Sequence, residues 1–151
     1  MNRESAVVFE GESRIHIGLE VTDLERSLAF YRVLLGEAPV KERPGYAKFE
    51  PREPSLNLSL SEGGAAPARA AGGGHYGLQV QSTDAVAAVA ARLQAAGIPT
   101  RTEEGTTCCY AVQDKVWAED PDGRPWEVFV VVEADAGRRE APAPGACCGG
   151  A

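Results

Sequence analysis

An α+β fold made of two β-α-β-β-β modules is predicted by three features of the sequence. The pattern His16-Ile17-Gly18-Leu19-Glu20-Val21 returns 59 positions later as His75-Tyr76-Gly77-Leu78-Gln79-Val80. Each copy alternates apolar and polar residues as a half-buried strand does, and each is followed at once by a segment of helical spacing. Each helical segment then gives way to further strand-like runs. A duplication made once at a fixed offset describes paired modules rather than a solenoid.

The elements follow in order. Residues 1–13 read as an extension before the body of the domain, which occupies 14–132. Residues 14–21 form a strand with Ile15, Ile17, Leu19 and Val21 on one face and His16, Gly18 and Glu20 on the other. Thr22 or Asp23 can cap the helix that carries Leu24, Leu28, Tyr31, Leu34 and Leu35, with Gly36 and Pro39 ending it. Residues 41–49 and 56–61 read as strands around the Pro51-Arg52-Glu53-Pro54 turn. The first module is thus 14–60. Residues 61–74, rich in Gly and Ala, read as a flexible connection. In the second module, 75–132, residues 75–81 are a strand, and Thr83 or Asp84 caps a helix with Val86, Val89, Ala90, Leu93 and Ala96. Gly97 ends that helix. Strands are expected at 100–103, 110–119 and 125–132, the last two joined by the turn Asp120-Pro121-Asp122-Gly123. The Ala/Gly/Pro-rich stretch 133–151 reads as a disordered, cysteine-bearing tail.

Composition narrows the partners. The chain has 151 residues, 44% hydrophobic and 25% charged, with a formal net charge of -7, values ordinary for a soluble domain with one sizeable core. Its acidity disfavours nucleic acid or an anionic membrane surface as the main partner. No apolar run approaches the ~20 residues that span a bilayer, and the first residues lack a signal-peptide pattern, so a cytoplasmic location is expected, as a monomer or homodimer. The four cysteines come as two adjacent pairs, Cys108-Cys109 and Cys147-Cys148. Adjacent cysteines bridge only through a strained ring, so these are not a disulfide framework. A bridge between the pairs stays open.

His16 and His75 are the only histidines of the chain, at matched positions of the repeat and opposite the apolar strand face. If the modules meet across a pseudo-two-fold axis, both imidazoles can enter one cavity. Glu127, in Trp126-Glu127-Val128-Phe129-Val130, is an acid inside an apolar strand, where burial is costly unless it is paired or binds a metal. Two histidines and a carboxylate with open positions suit non-heme Fe(II), and Zn uses the same donors. The corresponding strand of the first module offers Asn57, a poor ligand, so three protein donors are expected. The plainer alternative is two surface or core histidines with no metal between them.

Cys108 and Cys109 follow Gly105-Thr106-Thr107 at a junction of loop and strand. Two neighbouring sulfurs can clamp a thiophilic centre such as trivalent arsenic, or they are two small buried apolar side chains. Adjacent strand residues face opposite ways, so a clamp requires the pair to lie on a turn. Gln113 and Lys115 are candidates for roles around the metal or in the pocket, though a solvated strand face suits Lys115 as well, and Tyr110 and Trp117 suit a core. Cys147 and Cys148 could capture or relay a metalloid, or be incidental.

The duplicated modules with His16, His75 and Glu127 resemble the vicinal oxygen chelate superfamily of glyoxalases, bleomycin-resistance proteins and dioxygenases. Ser27-Leu28-Ala29-Phe30-Tyr31 with Leu35-Gly36 resembles its first-helix signature, and Asp120-Pro121-Asp122-Gly123 with Trp126-Glu127-Val128 its last hairpin. The run from Thr106 to Trp117, with Cys108-Cys109, is similar to the organoarsenical C–As lyase branch, the ArsI/CadI type. The resemblance implies an Fe(II)-dependent dioxygenase, with O₂ as co-substrate, that cleaves the carbon–arsenic bond of trivalent methyl- or aryl-arsenicals and releases arsenite. It implies His16, His75 and Glu127 as iron ligands and Cys108 and Cys109 as the substrate clamp. Trivalency follows from the clamp, since two thiolates need exchangeable positions on arsenic. The rivals are a cadmium- or arsenite-binding protein without catalysis, and another metal-dependent enzyme of the same superfamily.

Overall fold

The computed structural model describes residues 5–64, 74–108 and 110–135. Two four-stranded mixed sheets and two helices follow one another as β1 (Ile15–Val21), α1 (Leu24–Leu35), β2 (Lys41–Arg43), β3 (Tyr46–Phe49), β4 (Leu56–Glu62), β5 (Tyr76–Gln79), α2 (Thr83–Ala95), β6 (Arg101–Cys108), β7 (Ala111–Glu119) and β8 (Pro125–Glu133). The sheets have the same strand order, β1-β4-β3-β2 and β5-β8-β7-β6. In each, the first strand runs parallel to the last and lies at the sheet edge. This is the expected pair of β-α-β-β-β modules.

The helices form where apolar side chains recur every three or four residues. Leu24, Leu28, Tyr31, Leu34 and Leu35 are buried on α1, and Val86, Val89 and Leu93 on α2. Asp23 caps α1 by accepting from the Arg26 backbone N at 2.9 Å, and Glu62 accepts from the Leu24 N at 2.9 Å, so two orphan donors of the first turn are satisfied. Gly36 ends the helix at φ 71°, a conformation glycine adopts without cost. The cap of α2 is Ser82, which accepts from the Ala85 N at 3.1 Å, rather than Thr83 or Asp84. Those two are already helical, and the side chain one step earlier reaches the N3 amide.

Other boundaries also differ from the pattern. The run 41–49 is a hairpin, with Pro44-Gly45 between β2 and β3 and Gly45 at φ 68°. Strand β4 continues through Glu62, into what reads as the connection, because its ladder with β1 extends to Val21. Strand β6 runs to Cys108 rather than ending at 103, since a register shift between Glu103 and Thr106 lets the ladder resume beyond Gly105. Residues 5–13 hold no helix or strand. Cys109 and the greater part of the expected tail and connection (65–73 and 136–151, including Cys147 and Cys148) lie outside the described residues.

The modules share one core and are docked through their helices and the β7–β8 turn. Tyr31 of α1 is fully buried, edge-on to Trp126 of β8 at 5.8 Å between ring centroids. Its hydroxyl donates to Asp120 Oδ2 at 2.7 Å and accepts from Trp126 Nε1 at 3.3 Å. Burial, reinforced by the Asp120 carboxylate, pushes the Tyr31 phenol far above its ordinary range. Asp120 also accepts from the backbone N of Asp122 and Arg124 and from the Arg124 guanidinium. Burial opposes ionisation of Asp122, but hydrogen bonds from Thr22 and Arg124 outweigh it and hold that carboxyl below its usual range. Arg92 of α2 donates to the carbonyls of Val33 at 2.8 Å and Leu34 at 3.0 Å, capping the end of α1.

Tyr31→Phe leaves the ring packing intact but removes a donor from a buried carboxylate, and is expected to lower the unfolding free energy by about 1–3 kcal/mol. Ser27, also on α1, is buried with an Oγ that has no hydrogen-bond partner. Ser27→Ala is therefore expected to be neutral or to stabilise by up to about 1 kcal/mol. Urea unfolding checks both: an unchanged midpoint for Tyr31→Phe, or a large loss for Ser27→Ala, contradicts this account of the docking interface.

Candidate metal and substrate site

The site grows from a parallel pairing. In the β5–β8 ladder Gly77 lies opposite Glu127. Gly77 has a backbone any residue can adopt; what it supplies is space. A Cβ there would stand 3.1 Å from Glu127 Cγ, 3.3 Å from Oε1 and 3.4 Å from a Phe129 ring carbon, so the carboxylate lies across the bare backbone of β5. His75, immediately before β5, brings Nε2 to 3.1 Å from Glu127 Oε1. Lys115 of β7 brings Nζ to 3.0 Å from the other oxygen, Oε2.

Strand alternation explains the convergence. On β7, Val116 and Ala118 are buried in the core that α2 covers, and Lys115 and Trp117 occupy the opposite face. Register places Trp117 across from Glu127 and Lys115 across from Phe129. The Trp117 indole stands edge-on to the His75 ring at 5.1 Å, and Lys115 Nζ lies 5.5 Å from the Trp117 ring and 5.8 Å from that of Phe129. The Lys115 and Glu127 side chains are 2% and 8% exposed. A solvated strand face for Lys115 is therefore incorrect: it is the buried counter-charge of Glu127. Trp117 walls the same site. Trp117 is buried as a core residue is, whereas Tyr110 is not core: it is exposed at φ 65°.

The His75–Glu127 contact has a definite chemical meaning. A carboxylate only accepts, so Nε2 must carry the proton shared with Oε1. A divalent cation bound between the same two atoms would replace that proton, because metal ligands must be deprotonated. Lys115 engages only Oε2, so Oε1 remains available on the His75 side. This donor pair fits a metal of the kind that accepts nitrogen and oxygen ligands.

His16 is prepared for ligation in a different place. Its Nδ1 lies 3.1 Å from the Asn57 carbonyl. That oxygen only accepts, so Nδ1 is the donor of this contact and Nε2 is the nitrogen it leaves unused. His16 is exposed near the start of edge strand β1. It does not join His75 and Glu127 within one chain: among the described residues no three His, Cys, Asp or Glu side chains come together as a metal-binding group. The docking explains this. The modules meet through α1, α2 and the Asp120 turn, while β1 pairs only with β4 and β5 only with β8. A direct sheet-to-sheet pairing of the modules, which would bring the two imidazoles to one cavity, is not present among the described residues.

Asn57 has a role other than that of a Glu127 counterpart. It lies opposite His16 in the β1–β4 ladder, orients that ring through its carbonyl, and has a buried Oδ1 without a hydrogen-bond partner. The first-module residue equivalent to Glu127 is Ser59, because Gly18 pairs with Ser59 as Gly77 pairs with Glu127. Alternation of Leu56, Leu58 and Leu60 puts Asn57 and Ser59 on one face, but the stagger between parallel strands is not written in that alternation. Gln113, 8% exposed, lies opposite Thr106 and Val131 on the same hairpin.

Cys108 is the last residue of β6 and pairs with Ala111, so two residues, 109 and 110, connect the strands. Cys108 itself is the end of the strand. Ladder irregularities flank this connection, between Glu103 and Thr106 and between Val112 and Gln113. Trp117, in the Glu127 row, lies six residues along β7 from Ala111, a separation of roughly 20 Å on an extended strand.

Comparison with known proteins agrees with this architecture. The chain is 46% identical over 136 residues to the trivalent organoarsenical cleaving enzyme of Thermomonospora curvata, covering 90% of this chain and 88% of that protein. It is 44% identical over 120 residues to the cadmium-induced protein CadI of Mycobacterium tuberculosis, covering 80% and 77%. A glyoxalase/bleomycin resistance protein/dioxygenase from Alicyclobacillus acidocaldarius has a similar solved structure, with TM-score 0.65 and 14% identity, covering 81% and 93%. The profile of the Glyoxalase/Bleomycin resistance protein/Dioxygenase superfamily matches residues 14–128, and the chain belongs to that superfamily.

Proposed function

We propose that this protein is a non-heme Fe(II)-dependent dioxygenase that cleaves the carbon–arsenic bond of trivalent organoarsenicals and releases arsenite. The observation that carries the reading is the His75–Glu127 donor pair, braced by Lys115, in a chain close in sequence to a protein named for that cleavage. The third donor is His16 Nε2. Because the docked modules keep His16 apart from the other two, the reading requires two copies, with edge strand β1 of one protomer set beside edge strand β5 of its partner. Bound Fe(II) would supply the activation of dioxygen that side chains cannot perform.

The remaining roles belong to the chain. Cys108 and Cys109 each exchange an arsenic–oxygen bond for an arsenic–sulfur bond, releasing one water per exchange. Bends at the two ladder irregularities let the β6–β7 turn bring that cargo over the Glu127 row, giving the proximity that converts two encounters into one. Lys115 holds Oε2 and leaves Oε1, with His75, as the atoms that would hold the ion, and Trp117 and Phe129 exclude water. Cys147 and Cys148 would capture or relay metalloid before it reaches the clamp. The kinship with a cadmium-induced protein supports a second reading, sequestration by the thiols without turnover.

Methylarsenite incubated with Fe(II)-loaded protein is expected to yield arsenite in air and none under nitrogen, with loss of about 100-fold or more when Cys108 and Cys109 are both changed to Ser. Chromatographic speciation of arsenic checks this. Uptake without product in air favours sequestration, and full activity of the double variant removes the clamp.

Lys115→Met should leave Glu127 buried without its counter-charge and lower the stability of the metal-free protein by about 3–5 kcal/mol. A metal at Oε1 restores a counter-charge, so saturating Mn(II) should raise the melting temperature of the variant more than that of the wild type. Equal shifts in calorimetry would contradict a metal at this carboxylate.

A further inference from the structure

The row of the second sheet that holds Glu127 continues beyond the His75–Glu127 pair and ends on a cation. Gly77, Glu127, Trp117 and Arg101 lie opposite one another across β5, β8, β7 and β6. Arg101 opens β6, the outer strand of that sheet, and its guanidinium lies 5.5 Å from the Trp117 ring. The Arg101 side chain is half exposed, and Glu103 accepts a hydrogen bond from its Nη1. Among the described residues Glu103 is its one hydrogen-bond partner, so other N–H groups of the fork remain free. Trp117 Nε1 is buried and also has no hydrogen-bond partner. Beyond Glu127 the row therefore offers donors, and Glu103 already answers the charge of the arginine.

We propose that Arg101 is a specificity-determining residue, and that it favours aryl arsenicals carrying a planar, neutral hydrogen-bond acceptor, such as a nitro group, para to the arsenic. This rests on the reading above, which brings the arsenical over the Glu127 row. Adjacent strands are about 4.8 Å apart, so Arg101 stands two spacings, roughly 10 Å, from Glu127. A methyl group on arsenic ends far short of that. A benzene ring laid along the row spans most of it and carries a para substituent to the free edge of the guanidinium. The planar fork of arginine suits two coplanar oxygens, while the neighbouring Glu103 carboxylate disfavours an anionic substituent. Trp117 is a positioning residue in this account, because its ring anchors the guanidinium.

The test compares methylarsenite, phenylarsenite and 4-nitrophenylarsenite on wild type, Arg101→Met and Arg101→Lys. Kd is measured by equilibrium dialysis on the Mn(II)-loaded full chain under nitrogen, and kcat/KM from arsenite release by the Fe(II)-loaded chain in air. Wild type should favour the nitro compound over phenylarsenite by about tenfold, as a hydrogen bond from a charged donor allows. Arg101→Met should lose that preference and leave methylarsenite within about threefold, because no hydrogen bond to it is removed. Arg101→Lys, which keeps the charge without the planar fork, should recover only part of the preference. Arg101→Gln takes the place of Arg101→Met if the latter fails to fold by circular dichroism. A wild type that treats the two aryl compounds alike overturns the inference, as does an Arg101→Met that keeps the preference or weakens all three arsenicals equally. A preference in Kd that Arg101→Met removes, with no arsenite released by wild type in air, upholds the inference and overturns the dioxygenase reading.

Discussion

Glu127 lies on a strand whose neighbours Trp126, Val128 and Val130 are buried, and a carboxylate in that setting must have its charge answered. Three things meet the requirement. Gly77 supplies the space over β5, Lys115 supplies a buried ammonium for one oxygen, and His75 supplies a ring nitrogen for the other. Removing any one leaves a charge unpaired or a side chain without room. The surrounding aromatics, Trp117 and Phe129, pack against the Lys115 ammonium and lower the local dielectric, which strengthens its ion pair with Glu127.

The second constraint is the docking of the modules. Tyr31, Asp120, Arg124 and Trp126 form a buried network, and Arg92 closes the end of α1. This interface uses helix faces and a turn, and among the described residues β1 and β5 have no second strand partner. Unpaired edges are usually a liability. On the proposed reading they are the means by which two copies complete two sites, each protomer lending His16 to its partner.

Much of this was legible in the sequence, and for identifiable reasons. The alternation of β1 and the leucine spacing of α1 report burial directly, so those elements appear where expected. The matched histidines and the buried glutamate were visible because polar residues in apolar strands are conspicuous. What alternation does not encode is register, and so Asn57 reads as the partner position of Glu127 when Ser59 occupies it. Lys115 reads as either a pocket residue or a solvated strand face, because alternation alone does not choose between them; only the cross-strand pairing with β8 reveals its buried partner. The mutual placement of the modules depends on Tyr31 meeting Asp120 across 89 residues, a contact no local pattern announces.

Mixing two inactive variants tests the account most directly. Differently tagged His16→Ala and His75→Ala chains, unfolded or dissociated together and reassembled, should give a mixed dimer in which one site has all three donors. That dimer is predicted to bind one Co(II) per two chains and to recover about half the wild-type arsenite release, while each variant alone recovers none. If the mixed species is as metal-poor and inactive as its parents, the donors are not shared between copies, and the proposed site is contradicted.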